Sequence, residues 1–481
     1  MESLEKLKKA RLEKLEKIKK LGVNPYPAKS NKDQTIAESL GSVGKKVTTA
    51  GRIMAMRGHG GSSFMDLVDE SGKIQLFFSK SDLSDLNSQL LELLDIGDFI
   101  EVSGKVKKTK AGEVTIFAEN LTILTKSIRP IPSNFYGLKD IETRLRKRYL
   151  DLITNKEVRN LFIKKANFWG AVREYLVQND FLEVETPALE IIPGGADATP
   201  FITHHNAQDT DYFLRISLEL YQKRLLVGGF EKTFEVGKIF RNEGIDAEHL
   251  QDYLQMEFYW AYADYEKLME FLEDYYKFII QKTLGGTKSN IQGHELDWSK
   301  KWSRADYSDS FKQETGIDLN KNPKIEDLYE IAQKVGAKPQ KNLGLGRVID
   351  LIYKKTIRPK IISPTFLINH PVAVSPLAKR SEKNPNVTER LQILAAGTEI
   401  GNGFSELNDP VDQEERFSEQ QKLRKEGDKE AQMYDEDFVE ALEYGMPPAA
   451  GFGLSQRLFA VLVNKPIRET VFFPTIRPQK S

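Results

Sequence analysis

Residues 45–125 constrain the fold of this chain most, because they contain five short strand-like runs separated by turns. Runs such as IQLFF at 74–78 and EVTIF at 113–117 are rich in β-branched and aromatic residues. The predicted strands span 47–56, 64–68, 73–78, 99–106 and 113–124, with a predicted short helix over 81–95. This pattern predicts an OB-type barrel, a fold often used on single-stranded nucleic acid. A generic small β-barrel with another role fits the same pattern about equally well.

Two amphipathic helices are predicted on either side of this barrel. Residues 1–21 place four leucines and one isoleucine roughly on one helical face among many basic residues. This helix either packs on the next domain or contacts an RNA backbone. Apolar residues recur at helical spacing from Val158 to Leu176, which predicts a long helix that ends near residues 179–180.

The same signals predict the domain boundaries. The segment 128–137 carries two prolines and a glycine and is read as part of an interdomain linker. A polar, helix-rich stretch near 266–345 reads as an insertion. The predicted parts are an N-terminal helix and lead-in at 1–44, the barrel at 45–127, a linker at 128–144 and a second domain at 145–481.

Composition excludes several classes of function. The 481 residues include 70 basic and 70 acidic residues, and a net charge of zero excludes a histone-like electrostatic binder. There is no cysteine, which excludes disulfides, thiolate nucleophiles, Cys-ligated zinc and iron–sulfur clusters. The charged start is unlike a signal peptide, and no apolar run approaches the roughly 20 residues of a membrane span. A cytoplasmic protein is therefore expected.

The common nucleotide-binding motifs are absent from the sequence. There is no GxxxxGK[ST] motif, and no GxGxxG joins a predicted strand to a helix. The LGLGR run at 343–347 only partly matches the GxGxxG motif and is predicted to lie in a loop. If ATP binds to this chain, it does so through neither a P-loop nor a Rossmann turn.

Three stretches stand out instead: FLEVETPAL at 181–189, FRNEGIDAEHLQDYLQMEFYWAY at 240–262 and GFGLSQRL at 451–458. In this order they resemble motifs 1, 2 and 3 of the class II aminoacyl-tRNA synthetases. The resemblance to the bacterial-type lysyl-tRNA synthetases is much closer and runs from about residue 11 to about residue 478. It includes PGGA and FITHHNA within 193–207, LYQKRLLVGGFE at 220–231 and TEIGNGFSELNDP at 398–410.

This resemblance implies an α+β fold. Its parts are an N-terminal five-stranded OB-type barrel and a class II catalytic domain built on an antiparallel sheet with flanking helices. The implied function is that of a lysine–tRNA ligase, which converts lysine and ATP to lysyl-adenylate and then transfers lysine to the 3′ end of tRNA(Lys). The implied partners are lysine, ATP, tRNA(Lys) and a second copy of the chain, which would pair through motif 1 around Pro187.

Amino-acid activation needs arginines on phosphates and carboxylates on Mg²⁺, because an ionised substrate carboxylate attacks the α-phosphate without an enzyme base. Alternation along a strand would put Arg241 and Glu243 on one face. The resemblance names Arg241 and Arg457 as catalytic, and implies Mg²⁺ bound by Glu399. Gln392 replaces a family glutamate, and an amide can ligate Mg²⁺ but adds no charge. The implied ATP-binding residues are Arg241, Glu243, His249, Tyr253, Glu399 and Arg457.

The predicted substrate pocket is rich in acids. Glu219, Glu257, Glu399 and Glu406 lie in motif-bearing stretches, and converging acids repel one another unless cations join them. A substrate with two ammonium groups, together with Mg²⁺, supplies those cations, which favours lysine. The resemblance assigns lysine binding to Gly195, Glu219, Arg241, Glu257, Tyr259, Asn402, Phe404 and Glu406.

The barrel matches the anticodon reader of the family. Arg57, Phe64, Gln75 and Glu113 are the implied anticodon contacts, in which Phe64 stacks on a base and Gln75 bonds to a base edge. For Phe64 alone, the alternative is a residue of the barrel core.

Two other functions stay open at this point. Motif 3 lacks one residue and one glycine relative to the family, so Ser455 and Gln456 stand near the missing glycine and acid. Together with Gln392, this departure is the support for a catalytically impaired paralog that acts as an RNA-binding or regulatory protein. The other alternative is an enzyme of the same fold that lysylates a protein or makes another amide, and the barrel argues against it.

Overall fold

The computed structural model describes residues 4–59, 61–132, 140–244, 249–321, 323–337, 339, 343–428 and 431–478. The chain forms two compact units, Met1–Lys139 and Asp140–Ser481. Residues 133–139 of the predicted linker lie outside the described residues. Among the helices of the described ranges, none is long and apolar enough to cross a membrane.

The first unit contains a closed five-stranded barrel. Its elements are α1 (Leu4–Lys20), α2 (Ile36–Leu40), β1 (Lys46–His59), β2 (Ser62–Val68), β3 (Lys73–Ser79), α3 (Asp85–Leu93), β4 (Phe99–Lys108) and β5 (Val114–Thr125). The strands bond in the order β1-β2-β3-β5-β4, and β1 pairs with β4 to close the barrel. The five predicted strands and the helix after the third strand are confirmed. The helix is shorter than predicted, because Ser84 caps its start and Leu94 has extended backbone at its end.

Alternation along each strand separates the barrel core from its outer face. On β3, Ile74, Leu76 and Phe78 are buried in the core, whereas Phe77 between them is only partly buried. The N-terminal helix contributes Ile18 to the same core. Helix α1 therefore packs on the barrel, as the first of the two alternatives predicted.

The second unit is built on an eight-stranded sheet in the order β14-β15-β16-β17-β18-β11-β10-β6. It is antiparallel from β15 to β10 and parallel at both edges. Its elements are α4 (Ile141–Arg146), α5 (Arg148–Thr154), α6 (Lys156–Gln178), β6 (Leu182–Glu183), β7 (Leu189–Glu190), β8 (Ile202–His205), β9 (Thr210–Leu214), α7 (Glu219–Val227), β10 (Lys232–Phe240), β11 (Asp252–Ala261), α8 (Tyr265–Leu284), β12 (Lys288–Ile291), β13 (His294–Asp297), β14 (Ser303–Asp306), α9 (Tyr307–Thr315), α10 (Ile325–Lys334), α11 (Leu345–Thr356), β15 (Thr365–Pro371), β16 (Val387–Ala395), β17 (Thr398–Ser405), α12 (Pro410–Lys425), α13 (Glu436–Glu443), β18 (Ala449–Ser455) and α14 (Gln456–Leu462).

Two local expectations in this unit had different outcomes. The long helix is confirmed as α6, which ends at Gln178 as the spacing predicted. The loop predicted at 343–347 is wrong, because α11 begins at Leu345. Gly346 allows this close packing, since a Cβ there would lie 2.1 Å from the carbonyl oxygen of Ala373.

Strand β11 shows how the sheet positions its functional side chains. Met256 and Phe258 belong to the large core that the sheet forms with α6 and α8. Gln255, Glu257 and Tyr259 alternate with them and line a cavity on the opposite face. A strand with an apolar face and a polar but buried face indicates a binding site on the polar side.

Candidate active site

The cavity has a volume of about 390 Å³ and brings together most of the predicted site residues. Its wall contains Gly195, Glu219, Arg241, Tyr253, Glu257, Tyr259, Gln392, Glu399, Asn402, Phe404, Glu406 and Arg457. Glu243 and His249 are described but do not line this cavity, and they flank residues 245–248, which lie outside the described residues. The roles of these two residues stay predictions.

Glu257 is the best-satisfied acid of the cavity. It is 4% exposed. Its Oε1 accepts hydrogen bonds from Ser217 Oγ at 2.9 Å and from the Leu218 amide at 3.1 Å. Tyr259 Oη donates to its Oε2 at 2.9 Å. Burial, followed by the nearby acids, raises the pKa of Tyr259 well above its usual value, so this phenol stays protonated.

Glu219 and Glu406 lie in the same buried pocket. Burial raises the pKa of Glu219 to about 7 and that of Glu406 well above its usual value, while Lys223 opposes both shifts. Lys223 Nζ lies 2.6 Å from Glu219 Oε1 and also contacts Glu406 Oε2. Glu406 Oε1 has no hydrogen-bond partner in the described part of the protein. A buried acid oxygen with no partner beside a cavity suits a cationic ligand.

Two glycines leave room for these acids. Gly195 has a φ of +82°, and a Cβ there would lie 2.8 Å from both Glu219 Cβ and Ser217 Oγ. A Cβ at Gly451 on β18 would lie 2.1 Å from Glu406 Oε1 and 2.5 Å from a ring carbon of Tyr259. Larger residues at either position would displace an acid of the pocket.

The two predicted catalytic arginines lie near Tyr253, at the start of β11. The Arg241 guanidinium lies 5.8 Å from the centre of the Tyr253 ring and donates to the carbonyl oxygen of Ile216. Arg457 Nε has no hydrogen-bond partner in the described ranges. Strand β10 ends at Phe240, so Arg241 and Glu243 follow the strand. The prediction that strand alternation places Arg241 and Glu243 on one face is therefore wrong.

Glu399 reaches the cavity because of a β-bulge. Asn402 and Phe404 on β17 line the cavity, and simple alternation would place Ile400 beside them. The pairing of β16 with β17 instead skips Ile400, which belongs to the buried core cluster although it also borders the cavity, and Glu399 lines the cavity as well. Bulges commonly re-aim side chains next to active sites in this way.

The predicted metal ligands are a single carboxylate and an amide. Tyr353 Oη on α11 donates a 2.9 Å hydrogen bond to Gln392 Oε1, and both side chains are buried. Among the residues that the structure describes, no cluster of three or more acids and histidines could hold a metal by itself. A Mg²⁺ ion held by Glu399 together with ATP phosphates fits this donor set, since Mg²⁺ usually binds one or two carboxylates plus phosphates.

Sequence reasoning did not identify two further residues of the cavity region. Lys223 stands in a charged helix that resembles an ordinary surface helix, and only the fold shows that it is fully buried. Tyr353 has a clearer signal, because it follows Val348, Ile349 and Ile352 on the apolar stripe of α11, yet this spacing predicts burial rather than a bond to Gln392.

The predicted anticodon residues meet on the outer face of the barrel. Arg57, Phe64, Phe77 and Phe117 are directly opposite one another across β1, β2, β3 and β5. The centres of neighbouring phenylalanine rings are 5.0 Å apart. Phe64 is partly buried and lies outside the core cluster, so the alternative that it is a core residue is wrong.

Gln75 and Glu113 lie beside this aromatic row. Gln75 Nε2 donates to Glu113 Oε2 at 3.1 Å, and its Oε1 accepts from Thr115 Oγ1 at 2.9 Å. Sequence reasoning missed Phe77 and Phe117, although Phe77 is two residues after Gln75 and therefore on the same face. An aromatic row with polar edge groups is suited to stacking and reading single-stranded bases.

Comparisons with known proteins match a family to each of the two units. Residues 140–477 match the family described as tRNA synthetases class II (D, K and N), and residues 47–124 match the OB-fold nucleic acid binding domain. The chain is 45% identical to the lysine–tRNA ligase of Moorella thermoacetica, over 95% of each chain. It is 44% identical to that of Carboxydothermus hydrogenoformans over 99% of each chain, and 44% identical to that of Roseiflexus castenholzii over 99% of this chain. The chain therefore belongs to the lysine–tRNA ligase family of the class II tRNA synthetases.

Proposed function

We propose that this chain charges tRNA with lysine: it converts lysine and ATP to lysyl-adenylate and pyrophosphate, and then transfers lysine to the 3′ end of tRNA(Lys). The observation that carries this proposal is the arrangement of charge along β11. Two arginines lie near Tyr253, and three buried acids, Glu219, Glu257 and Glu406, lie near Tyr259. Tyr253 and Tyr259 are six residues apart on β11, a separation of about 20 Å. This length is enough for an amino acid and the phosphates of ATP to lie end to end.

The acids support lysine as the amino acid. Glu406 Oε1 lacks a partner, and a neutral substrate side chain would leave it so, at considerable cost. The assigned roles are Glu219, Glu257 and the Gly195 backbone on the α-ammonium, Glu406 and Tyr259 on the ε-ammonium, Phe404 on the aliphatic stem, and Asn402 with Arg241 on the carboxylate.

The arginines support attack of the lysine carboxylate on the α-phosphorus of ATP, with pyrophosphate leaving. Arg241 would bridge the carboxylate and the α-phosphate, and Arg457 would hold the γ-phosphate. Tyr253 would stack on adenine, with Glu243 and His249 as further ATP contacts. Because the attacking carboxylate is already ionised, positioning and charge neutralisation account for catalysis, and no protein base takes part.

Bound Mg²⁺ would neutralise phosphate charge during this reaction. Glu399 is the proposed protein ligand, and the Gln392 amide is already engaged by Tyr353. With one carboxylate rather than two, the phosphates would carry most of the coordination. We therefore expect activity to require more Mg²⁺ than an enzyme with two carboxylates at these positions.

We further propose a homodimer in the cytoplasm, with the barrel bound to the anticodon of tRNA(Lys). The segment around Pro187 supports the dimer, because Leu182, Leu189 and Ile191 there are 50%, 44% and 63% exposed. Exposed apolar residues along one segment indicate a surface that another chain covers. Sedimentation of the purified protein should give twice the mass of one chain, and a monomer at micromolar concentration would contradict this proposal.

The proposed reaction is tested by ATP–pyrophosphate exchange with each of the twenty amino acids, over a range of Mg²⁺ concentrations. Lysine alone should support exchange, and tRNA(Lys) should then be charged. Glu406→Gln should reduce lysine-dependent exchange at least tenfold, because the amide cannot neutralise an ammonium group. Exposed Glu270→Gln on α8 is the matched control. Lack of exchange with any amino acid, from a folded protein, would overturn the proposed function.

A further inference from the structure

One buried cation beside the pocket has no part in the proposed reaction so far. Lys223 is fully buried, and its Nζ contacts carboxylate oxygens of both Glu219 and Glu406. The same ammonium lies 5.3 Å from the ring centre of Phe404 and 6.0 Å from that of Phe438. Lys223 thus lies between the acid proposed to bind the α-ammonium of lysine and the acid proposed to bind its ε-ammonium.

A count of charges shows what Lys223 changes. Glu219, Glu257 and Glu406 can bring three negative charges to the pocket, and Lys223 removes one of them. Lysine brings two ammonium groups, and Arg241 would neutralise its carboxylate. Arg390 also faces Glu219, but its described hydrogen bonds go to Asn402, Val374 and Ser375 rather than to a carboxylate. Among the groups in contact with the acids, pocket and substrate therefore balance only when Lys223 is present, and without it one buried carboxylate has no cation in contact with it.

Building on the proposed function, we propose that Lys223 is a positioning residue that sets the specificity of the lysine pocket. Its ammonium neutralises one of the three acids in the resting enzyme and leaves two negative charges, which match an amino acid with two ammonium groups. It would also hold Glu219 and Glu406 in place before the substrate arrives, so that less reorganisation accompanies binding.

The surroundings of Lys223 determine how its removal would act. Besides Lys223, the titratable and charged groups that face Glu219 and Glu406 from the surrounding elements are Glu257 and Tyr259 on β11 and Arg390 on β16. Burial raises the pKa of both Glu219 and Glu406, and Lys223 counteracts it. Loss of the ammonium should raise both pKa values further, so each acid would have to release a proton before binding a substrate ammonium.

The test compares full-length variants in ATP–pyrophosphate exchange. Lys223→Met and Lys223→Gln remove the charge, and the amide of the second variant can still donate hydrogen bonds to the acids. Lys223→Arg keeps the charge. Lys126→Met is the matched control, because Lys126 is also fully buried and bridges Asp95 and Asp98 at 2.5 and 2.8 Å in the first unit.

We expect Lys223→Met and Lys223→Gln to raise the KM for lysine at least tenfold at pH 7, with kcat changed less than threefold. The increase should shrink between pH 7 and 8.5 by up to about tenfold per pH unit for each proton that lysine displaces. The preference for lysine over L-norleucine, which lacks the ε-ammonium, should fall at least tenfold. Lys223→Arg should keep the pH dependence of the unmodified enzyme, and Lys126→Met should leave the KM for lysine unchanged.

Two results would overturn this inference and leave the proposed function intact. One is a KM for lysine that depends on pH in the same way in the uncharged variants and the unmodified enzyme. The other is an equal loss of activity in Lys223→Arg and Lys223→Met through kcat alone, which would indicate a purely structural role. Absence of lysine-dependent exchange in the unmodified protein would instead refute the proposed function itself.

Discussion

Glu190 allows a quantitative test of how a buried carboxyl group changes the stability of this protein with pH. This side chain of β7 is 6% exposed, and its Oε2 has no hydrogen-bond partner among the described residues. Burial is the largest cause that raises the pKa of Glu190 from 4.5 to about 8, and Arg215 opposes it. Glu190→Gln keeps the shape of the side chain and removes its titration.

The sign of the effect follows from the direction of this shift. Because the folded-state pKa is above the unfolded-state value, folding takes up a proton between pH 4.5 and 8. The stability that this carboxyl contributes is complete below pH 4.5 and is lost as the pH rises through about 8. At about 1.36 kcal/mol for each unit of the pKa shift, the loss in free energy of unfolding reaches at most about 5 kcal/mol at pH 8 and above.

Thermal unfolding of Glu190→Gln and the unmodified protein from pH 5 to 9 measures this effect. All four tryptophans lie in the second unit, so tryptophan fluorescence follows its unfolding alone. The variant should gain stability relative to the unmodified protein as the pH rises to 8, and the gain should then level off. Its extra amide donor adds a cost of about 1–3 kcal/mol that does not depend on pH.

Exposed Glu270→Gln is the control for general effects of lost negative charge. The difference in melting temperature should stay constant with pH for this variant. If the difference for Glu190→Gln were also flat between pH 5 and 8, the carboxyl would not be taking up a proton on folding. The reasoning from burial would then be refuted.

Three further changes test the proposed sites. Gly451→Ala should raise the KM for lysine at least tenfold, since the new Cβ would lie 2.1 Å from Glu406 Oε1; an unchanged KM in the exchange assay would contradict the position of that acid. Gln392→Glu should lower the Mg²⁺ concentration for half-maximal exchange severalfold, because it adds a charge near Glu399, and an identical Mg²⁺ titration would argue against metal binding there. Phe64→Ala should leave pyrophosphate exchange intact but raise the KM for tRNA about tenfold, as expected from about 1–3 kcal/mol of lost base stacking; equal losses in both assays would indicate damage to folding.

The barrel could be predicted from the sequence because its signals are local. Runs of β-branched and aromatic residues, separated by turn glycines, defined all five strands to within a few residues. Alternation along a strand also predicts the outer aromatic row, because Phe77 is two residues after Gln75 and therefore lies on the same face of β3. The fold of the second unit, by contrast, was expected from its resemblance to a family rather than from local patterns.

The parts that alternation could not predict depend on tertiary structure. The bulge at Ile400 reverses the faces of β17 and brings Glu399 into the cavity, and no residue type in TEIGNGF marks it. The contact between Lys223 and Glu406 joins residues far apart in the sequence. Such contacts depend on how α7 packs against the sheet, which the pattern of one helix does not specify.

Glu190 and Glu406 show why a buried acid alone does not indicate a binding site. Burial raises the pKa of both carboxyl groups, so the ionised form of each is disfavoured for the same reason. Only Glu406 lines the cavity and contacts the Lys223 ammonium. An incoming ammonium can therefore offset the cost of burying the ionised form of Glu406. Glu190 can only keep its proton or, when ionised, destabilise the fold. The combination of a buried acid, a cavity and an adjacent cation is what distinguishes the substrate pocket.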